Sequence, residues 1–264
     1  KKHDVIYIPM GKYLVSNTLE LGDNTTLIAF HPSQTQLVLK DETPGFMDAN
    51  NARPLIVAPK GASCGISGVG FSFGNNPGLI GIKWMAGANS YMNDVLYNGR
   101  SDRSSFGNGQ KHAVWITDGG GGIFKNIWIN DRKPKMAFYV SNTATPGRIY
   151  EISVEHHKDV EVTLENVENW AFYALQLEED RGSEKTLGIY MADCKNIFFA
   201  NLVSHRTSGV WEPYFTGIQM RNSRDIFFRG MEMRGRVFPF TNTLFDEVSG
   251  TLISRGFFTR LDIK

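Results

Sequence analysis

The 264-residue sequence predicts an all-β fold: one right-handed parallel β-helix (a solenoid) running through residues 1–264 as a single domain. Three observations predict it. Short apolar or alternating runs are punctuated by Gly, Asn and Asp; capped stretches of helical period are nearly absent; and two kinds of run take turns along the chain at a repeating distance.

The first kind of run opens on a small residue followed by apolar ones. Its copies are Gly81-Ile82-Lys83-Trp84, Ala113-Val114-Trp115-Ile116, Ala137-Phe138-Tyr139-Val140, Gly188-Ile189-Tyr190-Met191 and Gly217-Ile218-Gln219-Met220. The second kind sets a polar residue before a β-branched one: Asp94-Val95, Asn126-Ile127, Glu151-Ile152, Asn196-Ile197 and Asp225-Ile226. The step from first to second kind is identical for Ile82 to Val95 and for Val114 to Ile127, and a single position longer for Phe138 to Ile152. It is shorter, and again identical, for Ile189 to Ile197 and for Ile218 to Ile226. Those short late steps predict tighter late coils. The long gap between Ile152 and Ile197 holds one more coil, through Val162-Thr163-Leu164 and Asn166-Val167. Repeats of this length without helices suit a β-helix, whereas a sandwich needs Asn-Gly or Asp-Gly hairpins, which are scarce. Asn126, Asn166 and Asn196 are expected at equivalent points of their coils, as turn residues or as an amide ladder.

Composition narrows the function. Lys and Arg number 28 against 27 Asp and Glu, a balance that excludes the basic excess of nucleic-acid binding. Hydrophobic residues make up 41% of the chain, enough for a continuous core. Aromatic residues reach 12%, which serves core packing and sugar stacking alike. The two cysteines, Cys64 and Cys194, are too few and too far apart for a disulfide framework or a cysteine zinc site, and both are expected as buried thiols. No apolar run is long enough to span a membrane. The chain enters a strand pattern by Val5 and still reads as strand at Gly256–Ile263 without a polar cap, so a longer chain with further domains is expected.

The segment Ile6-Tyr7-Ile8-Pro9-Met10-Gly11-Lys12-Tyr13-Leu14-Val15, continued by Thr18–Leu21 and Asn24–Ala29, resembles the opening coils of the pectate-lyase-like superfamily, nearest to β-helical glycoside hydrolases of the laminarinase type. The resemblance implies a β-helix and a carbohydrate-active protein, secreted or periplasmic. It carries no catalytic residues across. The Gly-His-Gly and Asp pairs of polygalacturonases are absent, as is an Arg-x-Pro-x-x-Arg of calcium-dependent pectate lyases.

The densest ionisable segment is Glu155-His156-His157-Lys158-Asp159-Val160-Glu161, followed about one coil later by Gln176-Leu177-Glu178-Glu179-Asp180-Arg181. Glu155 and Glu178 stand close to one full coil apart in sequence, so on adjacent rungs they face the same side, roughly 5 Å from each other. That separation suits a retaining glycosidase; Glu179 or Glu161 offers the longer spacing of an inverting one. Glu155 with Glu178 or Glu179 is therefore the expected catalytic pair, with His156 orienting one carboxylate. Trp170, Tyr173, Gln176 and Arg181 are expected to line a cleft for a polysaccharide or oligosaccharide. No cofactor and no metal is expected. His156 and His157 are consecutive, and strand alternation sends them to opposite faces. Two alternatives stand beside the hydrolase. Arg206, Arg221, Arg224, Arg229, Arg234 and Arg236, with His205, would serve a polysaccharide lyase, or pair with acids along outward faces. A glycan-binding or structural module would need no acid pair, and the acidic segments would then be a solvated loop face.

Overall fold

The computed structural model describes residues 4–98, 110–130, 136–157, 159–179, 187–206, 213–235 and 239–264. It is a parallel β-helix of about eight turns, each turn carrying three flat faces. Face 1 stacks Leu79–Trp84, His112–Ile116, Met136–Thr143, the start of Val160–Glu179, Leu187–Ala192, Tyr214–Arg221 and Phe240–Asp246. Faces 2 and 3 are the two halves of bent strands: Tyr91–Asn98, Gly122–Asn130, Gly147–Glu155, the rest of Val160–Glu179, Lys195–Arg206 and Arg224–Gly235.

The bend between faces 2 and 3 is a single residue in the left-handed region. Asp94, Asn126, Glu151, Ala174, Asn201 and Gly230 stack at this corner with φ between 51° and 68°. Asn, Asp and Gly tolerate that conformation most readily, which is why polar residues recur there. A second corner, after face 1, stacks Asp118, Asn142, Asn166, Asp193 and Asn222; a third, before face 2, stacks Asn169, Asn196 and Asp225, all again at positive φ.

These columns correct two sequence expectations. Asn126, Asn166 and Asn196 occupy three different corners, and each amide bonds a neighbour in its own column: Asn126 to Asp94 (3.1 Å), Asn166 to Asn142 (3.0 Å), Asn196 to Asn169 (2.8 Å). Late coils do not tighten either. Ile197 and Ile226 belong to face 2, whereas Val95, Ile127 and Ile152 stack on face 3 with Leu175, Leu202 and Met231. The steps from Ile189 to Leu202 and from Ile218 to Met231 equal the earlier one from Ile82 to Val95. The confusion has a physical source. An inward β-branched residue follows a left-handed polar residue at two different corners, so both corners carry the same local signature.

The interior is a column of apolar rungs. Phe172, Phe199 and Phe228 stack at 4.7 and 5.0 Å between ring centres. Trp170 is buried against Phe124 and donates from Nε1 to the Thr145 carbonyl at 3.1 Å. Its indole occupies the space a Cβ on Gly147 would take, at 2.3 Å, so position 147 admits only glycine without displacement. Cys64 and Cys194 are free and buried, as expected. At the far end the expected strand is present as Phe257–Ile263, but it runs antiparallel to Arg224–Gly235, while Leu252–Ser254 runs antiparallel to Phe240–Asp246. The last parallel rungs are thus followed on that side by antiparallel strands.

Phe199 has an aromatic ring on both sides, so Phe199→Ala is expected to cost about 3–5 kcal/mol. Urea unfolding followed by circular dichroism measures this; a loss under about 1 kcal/mol would contradict the stacked core.

Candidate active site

On face 3, outward positions alternate with core positions, and the last two outward positions of each strand form parallel columns. One column runs Trp128, Ser153, Gln176, Val203, Glu232; the other runs Asn130, Glu155, Glu178, His205, Arg234. Glu155 and Glu178 are direct register partners, and both side chains are largely covered, at 13% and 24% exposure. One ligating atom each from Glu155, His156 and Glu178 lie within 4.8 Å of one another.

Each carboxylate has an imidazole neighbour. His156 Nε2 lies 3.7 Å from Glu155 Oε2, and His205 Nε2 lies 3.3 Å from Glu178 Oε2. Ser153 Oγ donates to Glu155 Oε1 at 2.6 Å and abuts the Gln176 amide on the next rung. His156 follows the strand at φ +73°, and its N–H donates to the Glu178 carbonyl at 2.8 Å. This left-handed residue breaks strand alternation and lets His156 join Glu155 rather than face away from it. Trp128 stands beside Ser153 with 46% of its surface exposed. The arrangement offers two carboxylates, two imidazoles, an amide and an indole on one outward surface, which is what acid–base chemistry on a sugar ring requires.

No family model matches the chain, and no curated protein matches it by sequence. Solved structures do. The structure of sacteLam55A from Streptomyces sp. SirexAA-E superposes with a TM-score of 0.59 at 12% identity, over 89% of this chain. This chain spans 46% of that one. The A-module of the mannuronan C-5 epimerase AlgE4 of Azotobacter vinelandii gives a TM-score of 0.50 at 11% identity, covering 94% of this chain and 83% of its own. The fold these likenesses show is a parallel β-helix. Identity this low speaks for the fold alone. Within this fold the opening segment makes the first corner: Val5–Ile8 pairs with Thr26–Ala29 on face 2 and Gly11–Leu14 with Thr35–Val38 on face 3, with Pro9 and Met10 between.

The expected site residues divide in this fold. Glu155, His156, Gln176 and Glu178 come together on face 3. Glu179 does not join them: the next residue along a strand points inward, and its carboxylate is fully buried, accepting from Ser204 Oγ at 3.0 Å. Glu161, the other source of a longer spacing, is likewise buried and paired with His157. Trp170 is a core residue at 1% exposure and lines no cleft. Tyr173 is outward on face 2, around the corner, where it stacks on Tyr150 at 5.1 Å beside Ile123 and Lys125 along a shallow pocket of about 400 Å³. Arg181 and Arg236 lie outside the described residues. The other arginines scatter. Arg206 is buried above Tyr214 and Phe240, whereas Arg221, Arg229 and Arg234 pair with Asp193, Asp262 and Glu232. Ser153 was not singled out by sequence, although the rung-to-rung offset joining Glu155 to Glu178 also joins Ser153 to Gln176.

Behind the groove, burial pushes the Glu179 carboxyl well above its usual range, and the neighbouring Glu161 raises it further; Ser204 and Arg206 oppose this. A carboxyl that holds its proton more tightly when folded makes stability fall as pH rises above the unfolded value, near 4.5. Glu179→Gln is therefore expected to flatten the decline in stability above about pH 4.5, read from urea midpoints between pH 4 and 8. A variant whose profile stays parallel to wild type would contradict the buried, protonated carboxyl.

Proposed function

We propose that this protein is a carbohydrate-active β-helix, a glycoside hydrolase that cleaves a polysaccharide with the Glu155–Glu178 pair. The observation that carries the reading is the in-register pairing of these two partly covered acids, with oxygens within 4.8 Å, on a surface flanked by an exposed indole. One carboxylate attacks the anomeric carbon while the other protonates the departing oxygen and later activates water. A separation of about 5 Å favours that retaining course over an inverting one, which needs room for water between the acids. His156 orients Glu155, and Gln176 and Trp128 contact the sugar through hydrogen bonding and stacking. The likeness to AlgE4, named as an epimerase of the polysaccharide mannuronan, supports a polysaccharide as the substrate class. Such a substrate places the protein outside the cytoplasm, secreted or periplasmic. Among the described residues no helix is long and apolar enough to cross a membrane. Arg221, Arg229 and Arg234 each pair with an acid, which favours the hydrolase reading over a lyase.

Release of reducing ends from a panel of neutral and acidic polysaccharides tests the reading. Glu155→Gln and Glu178→Gln are each expected to lower kcat by roughly 100- to 10,000-fold with the fold retained. Wild type that cleaves nothing on the panel would end the hydrolase reading. Variants as active as wild type would move the catalytic pair elsewhere.

A further inference from the structure

We infer that the same groove is a binding site for a borderline divalent transition metal of the zinc class, held by Glu155, His156 and Glu178 with His205 as a fourth donor. The donors come from three successive rungs. Glu155 ends Gly147–Glu155 and His156 follows it; Glu178 lies one rung on in Val160–Glu179; His205 lies on the rung after, in Lys195–Arg206. Ligating atoms of the first three already lie within 4.8 Å of one another. Independently, His205 Nε2 lies 3.3 Å from Glu178 Oε2. Donors around a tetrahedral zinc ion sit about 3.4 Å apart, given bond lengths near about 2.1 Å, so the groups need to close by roughly an ångström, within the reach of side-chain torsions.

The chemistry of the donors selects the metal. Two imidazoles and two carboxylates suit zinc and its neighbours, whereas calcium, magnesium and manganese favour oxygen ligands. Two negative carboxylates also lie side by side with imidazoles, and no Lys or Arg among the described residues forms an ion pair with either. A dication between them neutralises both. The site departs from the sequence expectation of no metal, which rested on the two distant cysteines and on the consecutive histidines. His157 does face inward; it is the left-handed turn at His156 and the partner from a later rung, His205, that assemble a set no local segment displays.

Metal binding stands apart from the hydrolase reading, but its consequence rests on that reading: an ion on both carboxylates withdraws them from acid–base chemistry, so zinc inhibits cleavage. Isothermal titration of the purified chain, stripped with EDTA and titrated at pH 7 with zinc, manganese or calcium chloride, tests it. One zinc per chain is expected, with calcium weaker. His156→Asn keeps a residue suited to positive φ while removing the imidazole. It, His205→Ala and Glu178→Gln are each expected to weaken zinc by about tenfold or more. Circular dichroism of each variant verifies the fold, and any one folded variant suffices. Absence of zinc binding, or zinc binding unchanged in the folded variants, overturns the site. Zinc that binds in a protein without hydrolytic activity sinks the hydrolase reading and leaves the metal site standing; cleavage that proceeds in a protein indifferent to zinc does the reverse.

Discussion

Hydrogen-bonded register between rungs governs this molecule. Before the two antiparallel strands at the end, each strand pairs in parallel with the one a coil earlier, so an outward side chain lies about 4.8 Å from its counterpart on the next rung. The one-residue corner between faces 2 and 3 leaves no slack. Adding a single residue within either face would exchange its inward and outward sets, so both faces keep their phase through the whole column of stacked corners from Asp94 to Gly230. Apart from the single extra residue between Phe138 and Ile152, variation along this column falls in the returns from face 3 to face 1. The return from Ile152 to Val162 is the shortest and that from Val95 to Val114 the longest, with Ile127 to Phe138, Leu175 to Ile189 and Leu202 to Ile218 between them. Glu155, Glu178 and His205 sit where face 3 ends, at the rigid edge of these variable segments. Fixed acids beside changeable loops is the usual division between chemistry and specificity.

The same register explains what the sequence revealed. The alternating runs are one face-1 strand and one corner per coil, so the fold was legible from local chemistry. Glu155 and Glu178 were legible as a pair because the interval between them is one whole coil at that point. Trp170 was misleading because an aromatic residue near acids in sequence reads the same whether its ring turns in or out. The left-handed Asn169 before face 2 decides which, and the corner at Ala174 leaves Tyr173 on the face neighbouring the acids. Glu179 was misjudged by treating adjacent acids as equivalent, although alternation separates them. His205 and Ser153 were legible only once the rung-to-rung offsets were known, because those offsets differ from coil to coil.

The wall behind the groove is polar. At the corner where the chain enters face 1, Gly81, Ala113, Ala137, Gly188 and Gly217 stack as a column of small residues, and Glu161 interrupts it. Its carboxylate receives the His157 N–H at 3.1 Å and pairs with the His157 ring. Glu179, Ser204 and Arg206 fill the same interior on neighbouring rungs. Gly188 makes room: a Cβ there would come within 3.2 Å of Glu179 Oε1 and 3.0 Å of Ser204 Oγ. Buried acids are costly unless satisfied, and apolar residues of equal volume would be at least as stabilising, so these groups contribute something other than net stability.

What they contribute follows from their positions in the chain. Glu178 faces the groove and Glu179 the interior; Glu155 faces the groove, and His157, just beyond His156, is buried with Glu161. Each groove acid is therefore next to, or one position removed from, an inward polar group tied to its own neighbours. An apolar side chain in the core slides at little cost, whereas a hydrogen-bonded one does not, because moving it leaves a buried polar atom unsatisfied. The buried pairs thus fix strand ends that would otherwise fray where the ladder gives way to loops. Two carboxylates can be held close together on a surface only if the backbone beneath them resists their repulsion, and that resistance lies in the polar interior directly behind them.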